Sequence, residues 1–214
     1  MDINVRPARP EDASLIGWVM LASGRSHLER GIWDIIISQP EDECLTFLEL
    51  LTLDGSRHMC YYTEFLVAEV DGKPVAALEG FDPASNGLWT IMEHAARVAN
   101  KMGLTEKDMA AGQQGLVAYM TCYPDFAEGA WVIEHVATLP EYRHMGVISK
   151  LLEAILNKGR QQGFRLAQVD CYIGNTPAEL AYKKAGFKYH DEKRHPDFER
   201  EIGCPGIARF LCDI

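Results

Sequence analysis

The chain has 214 residues, of which 47% are hydrophobic and 24% charged, the composition of a folded globular protein rather than a disordered one. Its 21 Lys and Arg against 31 Asp and Glu leave a net charge of −10, which repels a phosphate backbone, excludes general nucleic-acid binding and suits a cationic small molecule or basic peptide. There is no run of 18 apolar residues for a membrane span and no apolar leader in Met1–Pro7, and Cys44, Cys60, Cys122, Cys171, Cys204 and Cys212 form no CxxC pair, so the expectation is a cytoplasmic protein with reduced thiols and no metal.

One domain over 1–214 is expected. Ile3–Arg6 reads as a short strand, and Arg9-Pro10-Glu11-Asp12 opens a helix whose apolar face is Leu15, Ile16, Val19 and Met20. A short helix near Trp33–Ile37 and another after Pro40, through Cys44, Phe47, Leu48 and Leu51, follow. The period then changes to two: Phe65–Val70 and Pro74–Gly80 are strands joined by an Asp71-Gly72 turn. Helical patterning returns between Leu88 and Met120 with a break at Lys101–Thr105, an insertion spanning about 88–129. Trp131–Thr138 is a strand, Gly146–Gln161 an amphipathic helix, Ala167–Ile173 a strand and Thr176–Ala185 a helix. Phe187–His190 and Ile207–Cys212 are the last strands, and Asp191–His195 reads as a solvated turn. Hairpins mixed with crossovers predict an α/β fold with a mixed sheet.

Two stretches carry chemistry. In Glu134–Ser149 a strand ends at Pro140, Arg143 stands three residues before Gly146, and a helix begins at once. Such a turn aims the backbone N–H groups from His144 to Ser149 at one point, where the helix adds roughly half a positive charge, an arrangement suited to a pyrophosphate. The second stretch is Asn175-x-x-Ala178-x-x-x-Tyr182-x-x-x-Gly186-Phe187: Asn175 caps a helix, and Ala178 and Tyr182 share one face, where Tyr182 can present its hydroxyl.

These stretches resemble the GCN5-related N-acetyltransferase family. Its acyl-CoA loop, (Q/R)-x-x-G-x-(G/A), is matched by Arg143-His-Met-Gly146-Val-Ile148, with Ile148 departing at the last position, and the Asn175–Phe187 pattern matches at each of its fixed positions. The opening Val5–Ala13 and the Phe65–Gly80 hairpin are similar to the family's as well. The resemblance implies a mixed, mostly antiparallel sheet flanked by helices, with two splayed central parallel strands, at Val132–Thr138 and Ala167–Ile173, and pantetheine inserted between them.

The implied activity is acetyl transfer from acetyl-CoA, as co-substrate, to a primary amine of a small molecule or peptide, by direct attack in a ternary complex. Backbone groups of Val136, Ala137 and Thr138 are expected to pair with pantetheine. Arg143, His144, Met145, Gly146, Val147, Ile148 and Ser149 are expected to hold the pyrophosphate, with Asn175 and Tyr182 beside them. Tyr182 is the expected general acid for the leaving thiolate. Glu134 is the expected base, on one face with Val132, Val136 and Thr138 by period two, with His135 on the opposite face, or water alone, as its rivals. Trp33, Asp34, Tyr61, Tyr62 and Glu64 are candidates for an acceptor lining, and the 88–129 insertion for part of the acceptor pocket or of a homodimer surface. Ile148 favours a contrasting reading, a non-catalytic acyl-CoA-binding or scaffolding module of the same fold.

Overall fold

The computed structural model describes residues 2–55 and 58–214. Asp71 and Gly72, both at positive φ, reverse the chain so that Phe65–Val70 (β2) pairs antiparallel with Lys73–Phe81 (β3). Ile3–Pro7 (β1) adds to the free edge of β2. Ala130–Thr138 (β4) continues from β3 antiparallel, Leu166–Tyr172 (β5) joins β4 in parallel, and Gly206–Asp213 (β7) and Lys188–Arg194 (β6) complete the seven-stranded order β1-β2-β3-β4-β5-β7-β6. The β4–β5 pair is the only parallel one among the described residues. This is the mixed sheet the sequence predicts.

Alternation along the strands sorts side chains into two layers. Val67, Ala77, Phe81 and Val132 face Ala13–Arg25 (α1) and Glu41–Leu53 (α3), packing on Ile16, Met20, Leu48 and Leu51. Ala68, Leu78, Trp131, Ile133 and Val169 face Val147–Gln161 (α6), packing on Leu151, Leu152 and Ile155. The Arg6 guanidinium ties β1 to the α1 entrance, donating to both Asp12 oxygens at 2.7 and 2.9 Å while Asp12 also accepts from the Arg9 N–H at 2.7 Å.

The insertion between β3 and β4 folds into Met92–Lys101 (α4) and Glu106–Met120 (α5), broken where the sequence predicts. Helix α5 lies against the short Ile32–Ile37 helix (α2) so closely that a Cβ on Gly112 would stand 2.1 Å from the Ile36 carbonyl oxygen. Only glycine permits that approach.

Two C-terminal expectations are corrected. Asp191–Arg194 is not a turn: β6 runs through it, paired with β7 and exposed at the sheet edge, which charged side chains tolerate. His195 then caps a helix the sequence reading lacks, Pro196–Ile202 (α8), its ring nitrogen accepting from the Asp197 N–H at 3.1 Å. Phe198 and Ile202 bury the inner face of α8, a contribution on the order of 3–6 kcal/mol.

Candidate active site

Between β4 and β5 the ladder covers only Ala130–Ile133 with Leu166–Val169, although both strands run on. The cause lies at His135, which adopts φ +50. The register of β4 against β3 shifts between Ala77 and Glu79, so β4 carries an extra residue there and bends. The strands part beyond the bend, and a cleft of about 810 Å³ opens along them.

The bulge also changes which residues face the cleft. His135 lines the same cavity as Glu134, not the opposite face, because its left-handed backbone breaks the alternation. After it the parity reverses: Val136 packs toward the α6 layer and Ala137 toward the α1 layer. Val132, Glu134, Val136 and Thr138 therefore do not share one face, and period two fails at that residue.

One end of the cleft is the turn before α6. A single 3-10 turn, Pro140–Tyr142, leads to Arg143, then His144 at φ 63 and Gly146 at φ 82. A Cβ at Gly146 would meet open space, so this glycine serves the backbone conformation rather than packing. The first helical bond runs from the Lys150 N–H to the Gly146 carbonyl, leaving the N–H groups from His144 to Ser149 without a backbone acceptor among the described residues. Arg143 donates through Nε to the Thr138 carbonyl at 3.2 Å and borders the same cleft as this turn. Several free donors at a helix N-terminus make an anion-binding concavity. Ile148 lines the cleft and packs on the α6 layer, so the departure from Gly/Ala leaves the donors open.

The opposite wall is Thr176–Lys184 (α7). Asn175 caps it, its Oδ1 accepting from the Ala178 N–H at 3.2 Å, while its Nδ2 donates to Ser26 Oγ at 2.6 Å and fixes α7 to the end of α1. Ala178 and Tyr182 line the cleft. Tyr182 is buried against Phe187 and Phe210, and its hydroxyl has no hydrogen-bond partner among the described residues. Burial raises its pKa, so it keeps its proton and can donate to an incoming group.

Between these ends sit the acidic groups. Glu134 accepts from the Tyr123 hydroxyl at 3.1 Å, and burial pushes its carboxyl up to about 7. Asp170, on β5, accepts from Gln168 Nε2 at 3.0 Å through one oxygen and leaves the other unpartnered; burial pushes it up to about 8. His135 Nδ1 lies 2.5 Å from Glu79 Oε2. Burial raises Glu79 and lowers His135, favouring the uncharged form of each.

The expected site residues Glu134, Val136, Ala137, Thr138, Arg143, His144, Gly146, Val147, Ile148, Ser149, Asn175 and Tyr182 all border this cleft. Met145 does not; its side chain is exposed on the outside of the turn. Of the acceptor candidates Trp33 lines the cleft, whereas Asp34 is taken by Arg25 at 2.6 Å and Tyr61, Tyr62 and Glu64 lie elsewhere. Sequence reasoning missed Tyr119, Tyr123 and Asp170. Asp170 carries the signal that marks Glu134, a carboxylate in an otherwise apolar strand. The tyrosines carry none, since their place depends on how the insertion folds back.

Cys60, Glu79 and His135 form the one three-residue group of potential metal ligands among the described residues, their ligand atoms within 4.8 Å of one another. Two of the three, Glu79 and His135, are hydrogen-bonded to each other.

The family model for the acetyltransferase (GNAT) family matches residues 26–187, about three quarters of the chain. The chain belongs to this family. As a GNAT acetyltransferase it is an acetyl-CoA-dependent acyltransferase. Solved structures share its fold end to end. An acetyltransferase superposes with a TM-score of 0.72 at 20% identity, covering 99% of each chain. An agmatine N-acetyltransferase mutant in its apo form does so at 0.58 and 17%, covering 100% of each. The yncA protein of Salmonella typhimurium, solved with its cofactor acetyl-CoA, gives 0.53 and 13%, covering 99% of this chain and 93% of that one. No curated protein matches the sequence.

Proposed function

We propose that this acetyltransferase moves the acetyl group of acetyl-CoA to a primary amine of a small molecule or peptide by direct attack in a ternary complex. The observation that carries the reading is a single cleft with an anion-ready turn at one end, lined also by a raised carboxylate, Glu134, and a buried tyrosine, Tyr182. The free N–H groups from His144 to Ser149, with Arg143, hold the pyrophosphate, and backbone groups of Val136, Ala137 and Thr138 pair with the pantetheine arm in the gap.

A lysine-like amine has a pKa near ~10.4 and must lose a proton before it attacks. Glu134, poised near neutrality, takes that proton, directly or through one water. The nitrogen bonds to the acetyl carbon, the carbon–sulfur bond breaks, and the electron pair leaves on sulfur. Tyr182 donates its hydroxyl hydrogen to that sulfur, and the second proton shed by the new amide nitrogen returns to Tyr182 through water. The −10 net charge, the Glu134 and Asp170 carboxyls and the shared fold with an agmatine N-acetyltransferase all support an acceptor that arrives as a cation. Six unpaired cysteine thiols support a cytoplasmic location.

The test is calorimetric titration with acetyl-CoA and CoA of the wild type and of Gly146→Glu, followed by a thiol-release assay across primary amines. A glutamate there puts a charge at the anion site and a side chain at φ 82. Micromolar binding lost in the variant, together with amine-dependent thiol release, is the expected result. No binding by the wild type overturns the reading, and binding without release by any amine points to a non-catalytic module.

A further inference from the structure

Glu134 and His135 also border a second, smaller chamber of about 60 Å³. Glu134, His135, Trp33 and Tyr123 border both spaces, so the chamber begins where the reacting amine is placed. Its deeper walls are Ile36, Met59, Cys60, Ile91 and Leu116. Cys60 is wholly buried and burial raises its thiol, so it stays a small apolar group. Among the described residues no charged side chain but the pair at the mouth lines this space, and Asp170 borders only the larger cleft. The chamber exists because Gly112 lets α5 close over α2, bringing Leu116 and Tyr119 of the insertion to it.

We infer that this chamber receives the tail of the acceptor: the amine stands at Glu134 and a short, unbranched, uncharged alkyl chain runs inward between Ile36, Met59 and Leu116. The inference rests on the amine-acetyltransferase reading above and narrows it. The volume equals that of about two water molecules at ~30 Å³ each, room for about two methylene units. Each methylene that enters leaves water for an apolar wall, which raises kcat/KM about four-fold. A chain longer than the chamber meets its wall and loses that gain. A second charge at the far end would be stripped of water with no partner on the wall, so a diamine loses at least about ten-fold against the monoamine of equal length.

The test compares kcat/KM for ethylamine, propylamine, butylamine, hexylamine, putrescine and agmatine in the wild type and in two variants, Leu116→Phe and Leu116→Ala. Acetyl-CoA titration of each variant reports whether the rest of the cleft is intact. The expected wild-type profile rises from ethylamine to propylamine, falls for butylamine and hexylamine, and is lower for putrescine than for butylamine and lower again for agmatine. Leu116→Phe moves the maximum to shorter chains, and Leu116→Ala moves it toward longer ones. A flat profile, putrescine equal to butylamine, or a maximum that both variants leave in place removes the chamber assignment while amine acetylation stands. Acetyl-CoA binding with no amine turned over removes both.

Discussion

Replacing Glu134 by Gln tests the base and its burial together. The folded protein holds this carboxyl at about 7 against its ordinary 4.5. Burial is the largest cause, with the Glu79 carboxyl adding to it, while His135 and the Tyr123 hydrogen bond act the other way. The sign follows. A carboxyl raised on folding is protonated more readily in the native state than in the unfolded chain. The native state is therefore favoured while the group stays neutral, and that advantage is lost as pH rises through about 7. At 1.36 kcal/mol per pKa unit, ionising Glu134 costs the wild type on the order of 3 kcal/mol by about pH 8 and under ~1 kcal/mol at about pH 5. Gln keeps the shape and an oxygen to accept from Tyr123, and it cannot ionise. Denaturant unfolding should show Glu134→Gln close to the wild type at about pH 5 and more stable by on the order of 2–3 kcal/mol at about pH 8. Activity should move oppositely. The kcat/KM of the wild type rises with pH through about 7 as the base ionises, and the variant falls about a hundred-fold or more and loses that limb. A stability difference independent of pH would refute the burial argument. A variant that keeps both rate and limb would show that His135 or water takes the proton.

Other outcomes follow from the same geometry. Tyr182→Phe removes one hydroxyl from a ring held by Phe187 and Phe210, so kcat should fall about a hundred-fold while acetyl-CoA affinity, by calorimetry, stays within a few-fold. Gly112→Ala puts a carbon about 2.1 Å from the Ile36 carbonyl and must push α5 off α2; the amine KM should rise several-fold with acetyl-CoA binding kept. Asp12→Asn weakens the bidentate Arg6 pair and should cost about 3 kcal/mol in urea unfolding at neutral pH. Because that carboxyl is held below its ordinary range, its contribution is present above the usual carboxylate pKa and lost as pH falls below it, so variant and wild type converge in acid.

What the sequence revealed is what depends on neighbours along the chain. The turn before α6 needs Gly146 at positive φ and Arg143 three residues earlier, and both can be read in a six-residue window. The Asn175 cap and the Ala178–Tyr182 face sit within one short helix. Hairpin and helix periods place most elements within a residue or two. The failures share one cause, dependence on a distant partner. Whether Asp191–Arg194 is a turn or an edge strand is decided by β7, whose Arg209 donates to Asp191 at 2.8 Å. Whether Pro196–Ile202 is helical is decided by the apolar site waiting for Phe198 beside Tyr119 and Tyr172. The chamber walls come from α2, the segment at Met59–Cys60, Ile91 and α5, which no spacing rule joins.

The bulge at His135 shows how a single local departure joins fold to chemistry. A regular β4 would continue its ladder with β5 past Ile133 and close the gap that forms the cleft. It would also turn His135 into the α6 layer, where its ring would lose Glu79. With the extra residue, consecutive side chains at 134 and 135 enter one cavity, and the strand bends away beside them. A left-handed histidine costs on the order of 1–2 kcal/mol. The Glu79 hydrogen bond and the Trp33 and Phe65 ring contacts hold it against that cost. His135 is thus fixed in place by the α1 layer, and the opening between the parallel strands is a consequence of core packing on the other side of the sheet's bend.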